Sequence, residues 1–149
     1  MTTLAWRPTI TVRRPARPVR RHLWLVPGIA LGLVAGEVSD HHGMGLLPLL
    51  AFGVVPHLAV LLGIGQPRPR GHLGPRAVPL FNALHEPVVP LALLGAVATS
   101  LLSPFWLVAG LAWLGHIVVD WGLGHGLRHR DGSLMARSVL EMAHRGVVG

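Results

Sequence analysis

The sequence predicts an all-α protein, a four-helix transmembrane bundle with both termini in the cytoplasm. Hydrophobic residues make up 51% of its 149 residues and charged residues only 13%, whereas charged residues are about a quarter of an ordinary soluble domain. Four apolar segments are close to the roughly 17–25 residues that a spanning helix needs. All 13 basic residues are arginines outside these segments, which is typical of membrane boundaries and argues against a nucleic-acid-binding module.

Composition divides the chain into three parts. Residues 1–21 carry six arginines, three prolines and no acidic residue, so we expect a disordered basic tail. Such a tail can set the topology and contact anionic lipid, or it can be the positive region of a signal peptide. Residues 22–128 are the predicted membrane domain. Residues 129–149 are predicted to form a short interfacial helix and tail, with Ser133 as its cap and Gly146 as its stop.

The first two spans are predicted at residues 22–38 and 45–64. The first has Pro27 in its opening turns, where a missing N–H costs least. We expect a polar loop after it, either simply solvated or able to bind a metal, made of Glu37, Asp40, His41 and His42. In the second span, Pro56 is expected to kink the helix and to free a carbonyl one turn earlier.

The last two spans are predicted at residues 77–102 and 104–123, joined by a short turn without charge. Six arginines precede the first span, three lie between the second and third, and four follow the fourth. All of them therefore fall on one side of the membrane when both termini are cytoplasmic. We predict a multi-pass protein of the inner (cytoplasmic) membrane, with membrane lipid as its partner.

Ionisable residues lie at a similar depth in three of these spans. His57 is seven residues before the end of its span, His85 eight after the start of the next, and His116 seven before the end of the last. At 1.5 Å per residue they lie roughly 10–12 Å from the cytoplasmic boundary. Asp120 is one turn from His116 on the same helix face. A lone charge in hydrocarbon costs at least ~2.5 kcal/mol, so we expect these groups to face one another.

The chemistry of these four residues suits a metal ion. The chain has no cysteine, so any metal would need imidazole and carboxylate ligands, which suit zinc, iron, nickel or manganese. We predict His57, His85, His116 and Asp120 as ligands of a divalent transition metal, with zinc as the first choice. Asp120 could instead fix the tautomer of His116 without binding the ion. A proton-conducting network, or histidines that only pack and hydrogen-bond, are the competing interpretations.

Three neighbouring residues receive supporting roles. Glu86 follows His85 and points about 100° away around the helix, so it is predicted to act as a catalytic base, a bridging ligand or the partner of an arginine. Asn82, one turn before His85, is predicted to hydrogen-bond near the ligands. His125, just beyond the last span, could close the site or be an exposed loop residue. Three further histidines lie among arginines and glycines and are predicted to be surface residues: His72, His129 and His144.

Two blocks of sequence resemble a known family. They are Asn82-Ala-Leu-His85 with Pro90, and the run from Gly110 to Arg128. Over roughly residues 46–128 the chain resembles the domain of unknown function 4260 family of small bacterial membrane proteins. The resemblance implies a four-helix membrane domain and no particular reaction. This chain has Pro56-His57 where that family typically has Pro-Asp, and His125 where it tends to have tyrosine.

A looser likeness, in layout alone, extends to membrane-embedded metal-dependent hydrolases. It implies a hydrolytic metal site, and at headgroup depth such a site would act on an amphiphilic substrate, with Glu86 activating water. The sequence leaves two other functions open: a non-enzymatic protein that handles protons or metal ions, and a small structural subunit of a membrane complex. Glycines on the last helix also allow a homo-oligomer through close helix contacts.

Overall fold

The structure of the protein is a computed structural model that describes residues 21–135. Over this part of the chain the regular structure is helical apart from an isolated β-bridge between Arg128 and Leu134, so the predicted all-α class is confirmed. The helices are α1 (Leu25–His41, after a 3₁₀ turn at Arg21–Trp24), α2 (Leu47–Leu58, continued by a 3₁₀ turn at Ala59–Gly63), α3 (Val78–Leu84), α4 (Val88–Ala98) and α5 (Pro104–Leu123).

Three helical segments are long and apolar enough to cross a membrane: His22–His41, Val78–Ala98 and Pro104–Leu123. The segment containing α2, Leu47–Gly63, is apolar but shorter. Large apolar side chains on the outer faces are exposed, among them Leu33 and Leu47 at 70% and 75%. Apolar surface on this scale is what a protein presents to lipid rather than to water.

Helix α5 is the centre of the bundle and contacts α1, α2 and α4. Its span is 50% buried, against 17% for the other two spans. It packs most closely against α1, because glycine faces glycine there. A Cβ atom on Gly28 would lie 2.8 Å from a methyl of Val119, and one on Gly115 would lie 3.0 Å from the Gly28 carbonyl oxygen. Small residues of this kind let two helix backbones approach in a membrane.

Two predicted boundaries are wrong. Helix α1 continues to His41, so Glu37, Asp40 and His41 are helical rather than part of a loop. The chain leaves the helix just before Gly43, whose φ of 65° lies in the left-handed region that glycine tolerates.

The predicted third span, residues 77–102, is interrupted between His85 and Pro87, where α3 ends and α4 begins. Helix α4 then ends at Ala98, four residues before the predicted end of the span. Pro87 has no N–H to donate and disfavours the helical conformation of Glu86 before it. The indole N–H of Trp113 donates to the Leu84 carbonyl at 2.6 Å, which satisfies an acceptor at the end of α3.

Several contacts bring the arginine-bearing segments to one end of the bundle. Trp24 meets Trp121 edge to face, with ring centroids 5.8 Å apart. The Asn82 side chain exchanges two hydrogen bonds of 2.8 Å with the main chain of Arg128. The predicted tail at residues 1–20, and the predicted interfacial helix from residue 136 onward, lie outside the described residues. Residues 133–135 are not helical.

Candidate metal centre

The structure brings four of the predicted site residues together from three segments of the fold. His57 comes from α2, His85 from the end of α3, and His116 and Asp120 from α5. One nitrogen or oxygen atom of each lies within 4.8 Å of the others. Asp120 Oδ2 is 3.1 Å from His85 Nε2 and 3.8 Å from Nε2 of both His57 and His116. The Nε2 atoms of His85 and His116 are 3.3 Å apart.

Local structure fixes the orientation of His85. It caps the end of α3, and its Nδ1 lies 2.7 Å from the Phe81 carbonyl oxygen. A carbonyl can only accept, so we assign the imidazole proton to Nδ1. The ring also stacks on Phe81, with centroids 3.9 Å apart. In the neutral imidazole, Nε2 then carries the lone pair, and this atom faces Asp120 at 3.1 Å.

This arrangement calls for a cation. Asp120 is only 3% exposed, and its Oδ2 has no hydrogen-bond partner among residues 21–135. An unpaired buried acceptor costs about 1–3 kcal/mol, and more when it is charged. When His85 is neutral, its Nε2 lone pair 3.1 Å away adds repulsion between two acceptors. A cation between them would remove both penalties, because it is attracted to both atoms.

The distances fit a metal ion of ordinary size. Zinc bound at about 2.1 Å in a tetrahedron holds its ligand atoms about 3.4 Å apart. Four of the six separations between these atoms, 3.1, 3.3, 3.8 and 3.8 Å, lie on either side of that value, and all the ligand atoms are within 4.8 Å of one another. The four residues could thus hold a metal ion, and three imidazoles with one carboxylate suit several divalent transition metals.

His125 approaches the cluster through the way in which α5 ends. Gly124 has a φ of 89°, its N–H donates to the Trp121 carbonyl, and the His125 N–H donates to the Asp120 carbonyl at 2.8 Å. This pair of bonds is the Schellman motif, which folds the chain back over the last turn. His125 Nδ1 thereby lies 3.5 Å from Asp120 Oδ1. The spacing from Asp120 to Gly124 and His125 was the sequence signal for this contact.

Asn82 and Glu86 are placed differently from the other site residues. Asn82 bonds the main chain of Arg128 and so ties α3 to the segment after α5, rather than bonding a side chain of the cluster. Glu86 lies in the break between α3 and α4 with an exposed side chain. It is not among the four residues whose ligand atoms converge.

A pocket of about 270 Å³ adjoins the cluster. Its polar lining residues are His57, His72, Asp120, His125 and Arg128. His57 and His125 keep 46% and 52% of their side chains exposed, so the cluster can be reached from outside. The spacing of residues did not single out His72 or Arg128, because both lie in loops that only tertiary contacts bring to the pocket.

No family model, curated protein or solved structure matches this chain.

Proposed function

We propose that the protein is a metal-dependent hydrolase of the inner membrane that acts on an amphiphilic substrate. One observation carries the proposal: four predicted ligands from three helices converge within 4.8 Å around a buried carboxylate oxygen without a hydrogen-bond partner among the described residues. His57, His85, His116 and Asp120 would hold the ion, with zinc as the first candidate. We also propose membership of the domain of unknown function 4260 family, on the Asn82–His85 and Gly110–Arg128 blocks.

The pocket beside the cluster gives the site the access that catalysis needs. A zinc ion held by four residues in a tetrahedron is closed, so catalysis requires water or substrate to add as a fifth ligand or to replace one of the four. Here the pocket reaches Asp120, and His57 and His125 border it. When bound, a divalent metal supplies an activated water at neutral pH and polarises the bond to be cleaved. His125 Nδ1 lies 3.5 Å from Asp120 Oδ1, on the side of the carboxylate away from the other three histidines. Glu86 does not line the pocket, so the proposal requires no step there.

Metal analysis of the purified full-length protein tests the proposal. We expect about one transition-metal ion per chain in the wild type, and a near-complete loss in His116→Ala, because a ligand whose side chain is only 9% exposed is removed. His129→Ala is the matched control, since His129 is an exposed histidine outside the cluster. Equal and negligible metal in wild type and His116→Ala would refute the proposal, provided that circular dichroism shows both to be folded.

Proton handling is the second candidate function, and one chain of contacts favours it. Exposed His125 lies 3.5 Å from Asp120, which lies 3.1 Å from buried His85. Reconstituted vesicles distinguish the two functions. If Asp120→Asn abolishes a proton flux and leaves the metal content unchanged, the protein handles protons. If it lowers the metal content and no flux exists in the wild type, the hydrolase proposal stands.

The proposed topology has four spans with both termini in the cytoplasm. Support comes from the contacts of Trp24 with Trp121, and of Asn82 with Arg128, which gather the arginine-bearing segments at one end of the bundle. Leu73, in the loop before α3, also donates its N–H to the Gly132 carbonyl at 2.9 Å. Arginine at one end is the pattern expected of a cytoplasmic face.

A further inference from the structure

The pocket beside the candidate metal centre carries an arginine whose hydrogen bonding is incomplete. Arg128 Nη1 donates to the Gly71 carbonyl at 3.1 Å, and the guanidinium carbon lies 6.0 Å from the centre of the Phe81 ring. Its Nε is buried and has no hydrogen-bond partner among the residues that the structure describes. A guanidinium has five N–H groups, and among these residues the only side-chain hydrogen bond of Arg128 is the one from Nη1, so it keeps donors for a ligand in the pocket.

The main chain at Arg128 is anchored independently of the guanidinium. Its N–H and carbonyl are both bonded to the Asn82 side chain at 2.8 Å. The segment that carries the arginine is therefore held against α3 before any ligand arrives. A cation anchored in advance binds an anion with a smaller loss of conformational entropy.

The rest of the lining indicates which anion fits. His72 and His125 add two imidazoles, and Asp120 of the metal cluster is the sole carboxylate among the lining residues. A guanidinium matches the oxygens of phosphate and carboxylate with its parallel N–H groups. A phosphoryl group offers three oxygens to several donors, whereas a carboxylate offers two. The apolar part of the lining, with Leu73 and Phe81, suits an alkyl portion.

We propose that this pocket binds a phosphoryl group through Arg128, and that the substrate of the hydrolase is a phosphate-bearing amphiphile. The identification of the substrate rests on the proposed function, whereas phosphoryl binding stands on the pocket itself. The group can be part of a lipid headgroup or free phosphate, because both present the same oxygens to the guanidinium.

The first test titrates inorganic phosphate into the full-length protein in detergent. We expect Arg128→Gln to weaken phosphate binding at least about tenfold, since it removes a charge-assisted hydrogen bond. The fold is preserved, because the bonds to Asn82 use the main chain of Arg128. Arg130→Gln is the matched control, an exposed arginine two residues away that does not line the pocket, and it should bind phosphate like the wild type.

The second test measures thermal unfolding in phosphatidylcholine vesicles with and without phosphatidic acid. A shift that depends on phosphatidic acid and on Arg128 identifies a lipid headgroup, and binding of inorganic phosphate alone identifies the free ion. Either result supports the inference. If neither probe binds, or if Arg128→Gln binds both like the wild type, the inference is wrong. Metal content is measured in the same samples. A protein that contains metal but binds neither phosphate probe would refute the inference and leave the proposed function standing.

Discussion

Main-chain carbonyls near the helix ends set the orientation of side chains in the candidate metal centre. The Phe81 carbonyl accepts both the main-chain N–H and the ring Nδ1 of His85, at 3.0 and 2.7 Å. The Asp120 carbonyl accepts the main-chain N–H of His125 at 2.8 Å. Helices leave their last carbonyls without partners inside the helix. Here the residues that satisfy such acceptors also aim imidazoles at the Asp120 carboxylate.

Asp131, in the turn after α5, gives a prediction about pH. The hydroxyl and N–H of Ser133 donate to its carboxylate at 2.6 and 2.9 Å, and these bonds hold the pKa of Asp131 below its ordinary value of 3.8. The stabilisation of the turn is therefore fully present above that value and is lost as pH falls through the lowered pKa.

We expect Asp131→Asn to remove this part of the acid sensitivity, because an amide accepts the same bonds and does not titrate. Thermal unfolding of wild type and variant at neutral and acidic pH provides the measurement. The difference in unfolding temperature between wild type and Asp131→Asn should change only at acidic pH. A difference that stays constant with pH would show that the ionised carboxylate adds nothing to the turn.

The spacing of His57, His85 and His116 in the sequence was sufficient to predict that they lie close together. It did not predict how their rings are oriented. His57, His85 and His116 were matched in depth because the rise of a helix per residue is fixed by its backbone. The proton position on His85 depends on how α3 ends. The position of Arg128 depends on hydrogen bonds to Asn82, which is 46 residues away in the chain. The helical periodicity of the sequence predicts neither the proton position on His85 nor the position of Arg128.

At the scale of elements, the contact between α1 and α5 gives the sharpest prediction. Gly28→Val would place a Cβ 2.8 Å from a Val119 methyl and 2.9 Å from the Val119 main-chain nitrogen. Because backbone must move to relieve the overlap, we expect a loss of about 1–3 kcal/mol of stability. Thermal unfolding in detergent measures it.

Gly32→Val is the matched control for this contact. It lies one turn further along the same helix, and a Cβ there would meet no atom within 4 Å. Both changes carry the same helix-propensity cost, so the difference between them isolates packing. Equal unfolding temperatures for the two variants would contradict the close approach of α1 to α5.

The four helical segments show what hydropathy determines. The predicted fourth span, residues 104–123, coincides with α5 because Pro104 and Gly124 mark its two ends. The predicted third span was continuous, yet it is broken at Pro87. Hydropathy records how apolar a segment is and carries little information about a break in the backbone, whereas the proline itself was visible in the sequence.

At the scale of the whole molecule, the proposed topology can be tested by cysteine labelling, because the natural chain contains no cysteine. His42→Cys lies between α1 and α2, and Arg70→Cys lies between α2 and α3. If α2 spans the membrane, these exposed sites lie on opposite sides. We expect a membrane-impermeant maleimide to label His42→Cys in intact cells and to label Arg70→Cys only after the membrane is opened.

Arg130→Cys serves as a reference for the side reached after α5, and it should behave like Arg70→Cys. Labelling of both His42→Cys and Arg70→Cys in intact cells would show that α2 does not cross. Labelling of Arg130→Cys in intact cells would place the segment after α5 outside and would overturn the proposed orientation.

The order in which the chain is synthesised adds a constraint on the candidate metal centre. His57 and His85 are translated well before His116 and Asp120, and the buried carboxylate comes from the last helix. A ribosome-bound chain with α1 to α4 inserted would offer two of the four ligands, His57 and His85, and would lack Asp120. Stable metal loading would therefore have to wait until α5 enters the membrane, which makes acquisition of the ion a closing step of biogenesis and a natural checkpoint for a completed bundle.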